Sequence, residues 1–310
     1  MIGAGVTAGI RMPGTQTSNA AGAGYLLRLY VLNGVRSAPR FLDGLNATLA
    51  ARLAALGCEV RGRVLFPYDD WHRRLLPQIR EARFDIMLPY RRYERSIGGR
   101  RVLAELDRDR SESDARKNRQ EEEAVREGQA SAANGERAAD RPKELALFVG
   151  HSAGGVAAVH ASGLLLAREG GLPSPVVMIG SPKCRIPGPL RDAVLYVQAE
   201  RTREARGAAN GAQTPASARP QTLAAGKAAD PICRIGSFGG WSKNAGRLLP
   251  GWRGDLHAPG ARAAVRIAGG HADYFRDGSP YTADDGRTNM DETLAAIWPW
   301  LTARLLERMR

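Results

Sequence analysis

The segment Gly150-His151-Ser152-Ala153-Gly154-Gly155 is where this chain's residue types and spacing could support covalent chemistry. The G-x-S-x-G spacing alone carries little weight in a chain with 36 glycines. Its surroundings carry more. The apolar run Leu145-Ala-Leu-Phe-Val suits a fully buried parallel strand, and the small-residue-rich stretch 156–167 suits a helix. A serine on a tight turn between such a strand and helix is lifted out of the sheet edge toward solvent. Bulky residues at Gly150 or Gly154 would clash with the adjoining strand and helix. The following helix N-terminus supplies N–H groups and a dipole that favour a developing oxyanion, with Ala153 N–H as one donor.

A serine hydroxyl needs an adjacent base to act as a nucleophile. Five histidines are available: His72, His151, His160, His257 and His271. His151 lies inside the turn and cannot reach back to Ser152, and His160 lies two turns into the following helix. His72 precedes the serine-bearing strand, against the Ser–acid–His order of such sheets. His257 sits in a Pro/Gly-rich loop. His271 follows a strand at 263–267 through Gly269-Gly270, at the end of the sheet where α/β sites gather, and is preferred as base.

Four segments together resemble the signature stretches of the fungal-type (class 3) lipases: GHSAGG at 150–155, IGSPK at 179–183, DPICRIG at 230–236 and GHADYF at 270–275. The likeness covers residues 145–275 in patches, and only the first stretch is individually specific. It implies an α/β-hydrolase fold with Ser152 as nucleophile, Asp230 as acid and His271 as base, acting on a carboxylic ester. From the residues alone the acid is either Glu200, at the end of a strand at 193–197, or Asp230, which returns close to that strand if 201–229 loops out. Asp192 and Asp273 trail both. The resemblance favours Asp230. The second oxyanion donor is expected from the loop after the first strand, at Val35 N–H, with Gly34 as the fallback. Ala153 replaces the usual Leu, a long charged insertion replaces a short lid, and neither a secretion signal nor a disulfide framework is evident. These departures weigh against a secreted triglyceride lipase and leave acyl chemistry intact. Thioesterase, amidase or acyltransferase chemistry would use the same three residues. A non-catalytic interaction protein of the same fold is the other alternative.

The elements that must position these residues follow from hydrophobic periodicity. Residues 25–32 predict a strand ending at Asn33-Gly34. Phe41, Leu42, Leu45, Leu49 and Leu53 recur at helical spacing, and 58–66 predicts a second strand. With strands at 145–149, 175–179, 193–197 and 263–267, this predicts one α/β domain over 25–310 with a mostly parallel central sheet flanked by helices. A C-terminal helix is expected from Met290, with Asn289 and Glu292 as a capping box and Pro299 as a kink. Residues 1–24 are expected to be a flexible leader. Residues 71–144 are expected to be an insertion, a cap or lid followed by a charged solvated stretch, and 201–229 a low-complexity loop. Trp71, Trp241 and Trp252 are candidates for an apolar pocket, although aromatics more often serve the core.

The chain has 310 residues, 43% of them hydrophobic, enough for one large α/β domain. Its net charge of +13 comes from 45 basic residues, of which only five are lysine, scattered among acidic ones. No compact basic block or recognition motif points to nucleic acid. Three widely spaced cysteines, Cys58, Cys184 and Cys233, predict neither a disulfide framework nor a zinc site. No metal or organic cofactor is expected. No apolar run reaches the ~18 residues of a membrane span, so a cytoplasmic protein is expected. The expected partner is a small acyl ester or lipid, with peripheral membrane contact left open and no oligomeric state implied.

Overall fold

Side-chain alternation along the strands sorts this chain into three layers. In β1 (Tyr25–Leu32), Leu27, Leu29 and Val31 point to one face, and Tyr30 and Leu32 to the other. In β3 (Lys143–His151), Leu145, Leu147 and Val149 oppose Ala146 and Phe148 in the same way. Both faces are apolar, so both must be covered, the signature of a parallel sheet buried between helices. The structure is a computed structural model and describes residues 24–126, 143–200, 230–243, 249–283 and 285–309.

The fold is α/β. Six parallel strands run in the order β2-β1-β3-β4-β5-β8, with β2 at Glu59–Leu65, β4 at Val176–Ile179, β5 at Val194–Ala199 and β8 at Ala261–Val265. One face is covered by α1 (Asp43–Ala54) through Leu45, Leu49 and Leu53, and by α5 (Asn289–Met309) through Leu294, Ile297, Leu301 and Leu305. The other is covered by α3 (Ile97–Arg126) through Val102 and Leu106, and by α4 (Ala153–Glu169) through Val156, Val159 and Leu165. A short antiparallel ribbon, β6 (Gly240–Ser242) with β7 (Gly251–Arg253), stands apart from the sheet.

The strand order reverses between β1 and β3. From β1 the chain steps outward to the edge strand β2, then returns to place β3 on the other side of β1. The connections leaving β1 and β3 therefore diverge to opposite faces at the carboxyl ends of these strands, the place where open α/β sheets bind ligands. Asn33-Gly34 and Ser152 lie on those two ends.

Several expectations are revised. The first part of the stretch expected as a cap forms α2 (Leu75–Met87), which turns Gln78, Ala82 and Asp85 inward. Trp71, Leu75, Leu76, Ile79, Phe84 and Met87 stay exposed, so an apolar run does not mark a buried face here. Buried Asp85 accepts hydrogen bonds from Tyr68, Ser96, Ile97 N–H and Gly98 N–H at 2.8–2.9 Å, and so caps the N-terminus of α3. Charged residues 107–126 continue α3, which is anchored at its start by the core contacts above. Residues 1–23, 127–142 and 201–229, which include nearly all of the expected leader and the low-complexity loop, lie outside the described residues. The capping box of α5 is Thr288 with Asp291: Thr288 N–H and Oγ1 donate to the Asp291 carboxylate, and Asp291 N–H donates to Thr288 Oγ1. Asn289 is buried and serves a different purpose, described below. Trp71, Trp241 and Trp252 are all exposed, and the latter two stack edge to face across the ribbon.

Two buried histidines make stability pH-dependent. Burial pushes His151 down to about 3, with neighbouring His271 adding to the effect, and pushes His160 down to about 4. Each keeps one ring nitrogen buried without a partner among the described residues, Nδ1 of His151 and Nε2 of His160, where a proton would find no acceptor. The unfolded chain binds these protons below its ordinary value of 6.5 and the folded chain does not. Stability is therefore fully present above that value and falls as pH drops toward 4. The expected slope is about 1.4 kcal/mol per pH unit for each histidine. Urea titrations at several pH values between 6.5 and 4.5 should show it, and His160→Asn should remove about half of it. An unchanged slope in that variant would show that His160 does not titrate on unfolding.

Candidate active site

Ser152 joins β3 to α4 and carries φ 56 and ψ −134, a backbone conformation that L-residues avoid. Holding a non-glycine residue there costs on the order of 1–3 kcal/mol, so the surrounding packing must impose it. It does so from both sides. Ser152 N–H donates to Ile179 O at 3.0 Å, which ties the turn to β4, and Gly155 N–H donates to Ser152 O at 3.1 Å, which starts the helix. Ala153 is the first residue of α4. On the β1 side, a Cβ built on Gly34 would lie 2.5 Å from Ser152 Cβ and 2.9 Å from its Oγ. Only a glycine lets the loop after β1 come this close to the serine.

The structure brings His271 and Asp230 together. His271 Nδ1 lies 2.8 Å from Asp230 Oδ2. The same oxygen accepts from Tyr274 Oη at 3.1 Å, and Asp230 Oδ1 accepts from Ile232 N–H at 2.9 Å. Asp230 is buried, which disfavours its charge, but the His271 hydrogen bond and charge, Ile232 N–H and the Tyr274 hydroxyl outweigh this. They hold its carboxyl below the ordinary aspartate range. An ionised Asp230 accepts from the imidazole Nδ1–H and leaves Nε2 as an acceptor.

His271 meets the serine turn through His151. The two rings stack at 4.6 Å between centroids, and His151 Nε2 donates to the His271 carbonyl at 2.9 Å. Buried His151 stays neutral, so this donation assigns its proton to Nε2. Among the described residues no hydrogen bond joins the Ser152 hydroxyl directly to the His271 ring.

The remaining candidates are placed elsewhere. His257 N–H bonds Phe238 O beside the ribbon, His72 packs at a tilt against Trp71, and His160 is buried in α4 against Ser96 and Tyr93. Glu200 continues β5 with its N–H on Val265 O. Asp192 lies beside Gly260. Asp273 accepts from Gly270 N–H at 2.8 Å and so shapes the histidine loop from within.

Two residues that sequence reading did not assign support this arrangement. Tyr274, fully buried, accepts from Ala199 N–H at 2.8 Å while donating to Asp230, which ties the acid to the end of β5. Asn289 reaches from the start of α5 to Ala268 N–H, Ala268 O and Asp273 O, all at 2.8–2.9 Å, and clamps the loop bearing His271 at two points. Tyr274 sits inside the GHADYF segment, so its signal was present. Asn289 reads as a helix cap in sequence, and only the tertiary path of the 266–275 loop shows otherwise.

Among the described residues, no group of three or more His, Cys, Asp or Glu side chains is placed to hold a metal ion, and the three cysteines are free and buried. No helix of the described residues is long and apolar enough to cross a membrane. No family model matches the chain, and neither a curated protein nor a solved structure matches it significantly.

Proposed function

We propose that the chain is a serine hydrolase acting on carboxylic esters, with Ser152 as nucleophile, His271 as base and Asp230 as the acid that orients it. The observation that carries this reading is a strained serine at the switch point of the sheet, one residue from the ring stacked on an aspartate-bound imidazole. Strain of this kind persists where it serves a purpose.

In this mechanism Ser152 Oγ attacks the acyl carbon as His271 Nε2 takes its proton. Asp230 stabilises the resulting imidazolium. Ala153 N–H and Val35 N–H bind the oxyanion, with Gly34 providing the close approach. The protonated His271 then donates to the leaving alcohol. Water, deprotonated by the same imidazole, attacks the acyl-enzyme and releases the acid. Ester, thioester and amide substrates share these steps and differ in leaving group.

The test is covalent labelling. A fluorophosphonate probe should modify the chain once, on the peptide containing Ser152, and p-nitrophenyl butyrate should be hydrolysed. Assays of acyl thioesters and anilides alongside that ester then distinguish the thioesterase and amidase alternatives. A chain that takes up no probe and cleaves none of these substrates is not a serine hydrolase, and the interaction-protein reading would replace this one.

A further inference from the structure

The loop Gly34-Val35-Arg36 is gripped from outside the sheet by a residue with no counterpart in the catalytic scheme. Arg36 N–H donates to Gln78 Oε1 at 2.8 Å, and Arg36 itself sits at φ 53. Gln78, on α2, is fully buried, and its Nε2 donates to Asp70 O at 2.6 Å and Arg73 O at 3.0 Å. One amide thus bridges the loop after β1 to the loop after β2. Ser37 Oγ donates to Gly34 O at 3.3 Å on the other side. The two peptide groups flanking Val35 are therefore both held, one through its carbonyl and the other through its N–H. In a trans peptide the N–H points opposite the C=O, so fixing Gly34 O also fixes the direction of Val35 N–H. Arg36 N–H is consumed by Gln78 and is not available to substrate.

The design of α2 agrees with this role. It keeps Gln78 inside while Leu76 and Met87 remain exposed, the reverse of ordinary helix burial. Burying an amide is costly unless its groups are hydrogen-bonded, and here all three bonds go to loop backbone.

We infer that Gln78 is a positioning residue that pre-orients Val35 N–H as an oxyanion donor, with Ser37 completing the clamp. The inference rests on the hydrolase reading above. It adds that part of the transition-state stabilisation is set from α2, through a residue that touches neither substrate nor the three reacting side chains.

Gln78→Met keeps the length and removes the amide, and Ser37→Ala opens the clamp at its solvent side. Removing an oxyanion donor costs about 10²- to 10³-fold in kcat, and loosening one should cost less. Gln78→Met is expected to lower kcat about tenfold or more with KM within about twofold, and Ser37→Ala to lower it by a few-fold. Affinity for an alkyl boronic acid, which forms a tetrahedral adduct with the serine, should fall by the same factor as kcat. Amide exchange over 33–40 should quicken in both variants, and this readout does not depend on turnover. Wild-type kcat and wild-type exchange in the variants would overturn the inference, as would a loss confined to KM. If Gln78→Met does not fold, Ser37→Ala decides by the same measures. If the wild-type chain neither labels nor hydrolyses, the hydrolase reading fails and the oxyanion role fails with it. The exchange measurement still reports whether the clamp exists.

Discussion

Ser152→Ala is expected to abolish ester hydrolysis and probe labelling, with kcat falling by about 10⁴- to 10⁶-fold, because base and acid achieve little without the nucleophile they serve. The folded structure should survive. Alanine at φ 56 bears the same backbone strain as serine, so the thermal midpoint should stay within a few degrees. Ser152→Gly separates strain from chemistry. Glycine adopts positive φ without steric cost, so this variant should be equally inactive yet more stable than wild type by about 1 kcal/mol. A residue whose removal stabilises the protein and ends its activity is held in place for function and not for folding. Circular dichroism melts alongside the p-nitrophenyl butyrate assay test both halves. Retained hydrolysis in Ser152→Ala would assign the nucleophile elsewhere. A destabilised Ser152→Gly would mean that the serine side chain supports the turn.

Gly154→Ala should be strongly destabilising. A Cβ at that position would lie 2.3 Å from Leu32 O and 2.8 Å from Asn33 O. Both are backbone atoms at the end of a central strand, so no rotamer change relieves the overlap. Either α4 lifts from the sheet or β1 moves, and each breaks contacts in the larger apolar layers. A loss of at least about 4 kcal/mol is expected, a fall in melting temperature of roughly 6 °C or more for a chain of this size. Gly188→Ala is the control. Among the described residues nothing lies within 4 Å of a Cβ there and its φ is not positive, so stability should change by less than about 0.5 kcal/mol. If the two variants melted alike, the close approach of α4 to the end of β1 would be wrong.

The clash at Gly154 and the strain at Ser152 have one origin. The helix must begin so near the strand ends that its first turn has no room for a side chain at Gly154, and this proximity lets the loop at Gly34 reach the serine. Gly150 meets the same constraint, since its Cβ would lie 2.4 Å from the backbone of Gly154 and Gly155. The spacing of small residues around Ser152 is therefore the trace of a packing distance, which is why it could be read without a structure.

Strand periodicity, with both faces of 25–32 and 145–149 apolar, already required a buried parallel sheet, and the bounds of those strands moved by at most two residues. Gly150, whose Cβ would meet the backbone of Gly154 and Gly155, and the glycine loop that carries His271 past the last strand depend on neighbours close in the chain, and such local rules survive folding. The side of α2 that is buried did not follow from its apolar residues, because Gln78 and Asp85 are drawn inward by backbone groups of distant loops. Asn289 could not be told from a helix cap, since Ala268 and Asp273 reach it only when the 266–275 loop returns over α5. The pairing of Asp230 with His271 likewise spans 41 residues and could only be narrowed against Glu200 in the sequence. Periodicity and turn chemistry are encoded residue by residue. Which hydrogen-bonding groups share a buried space is settled by how the layers stack, and that was decided in three dimensions alone.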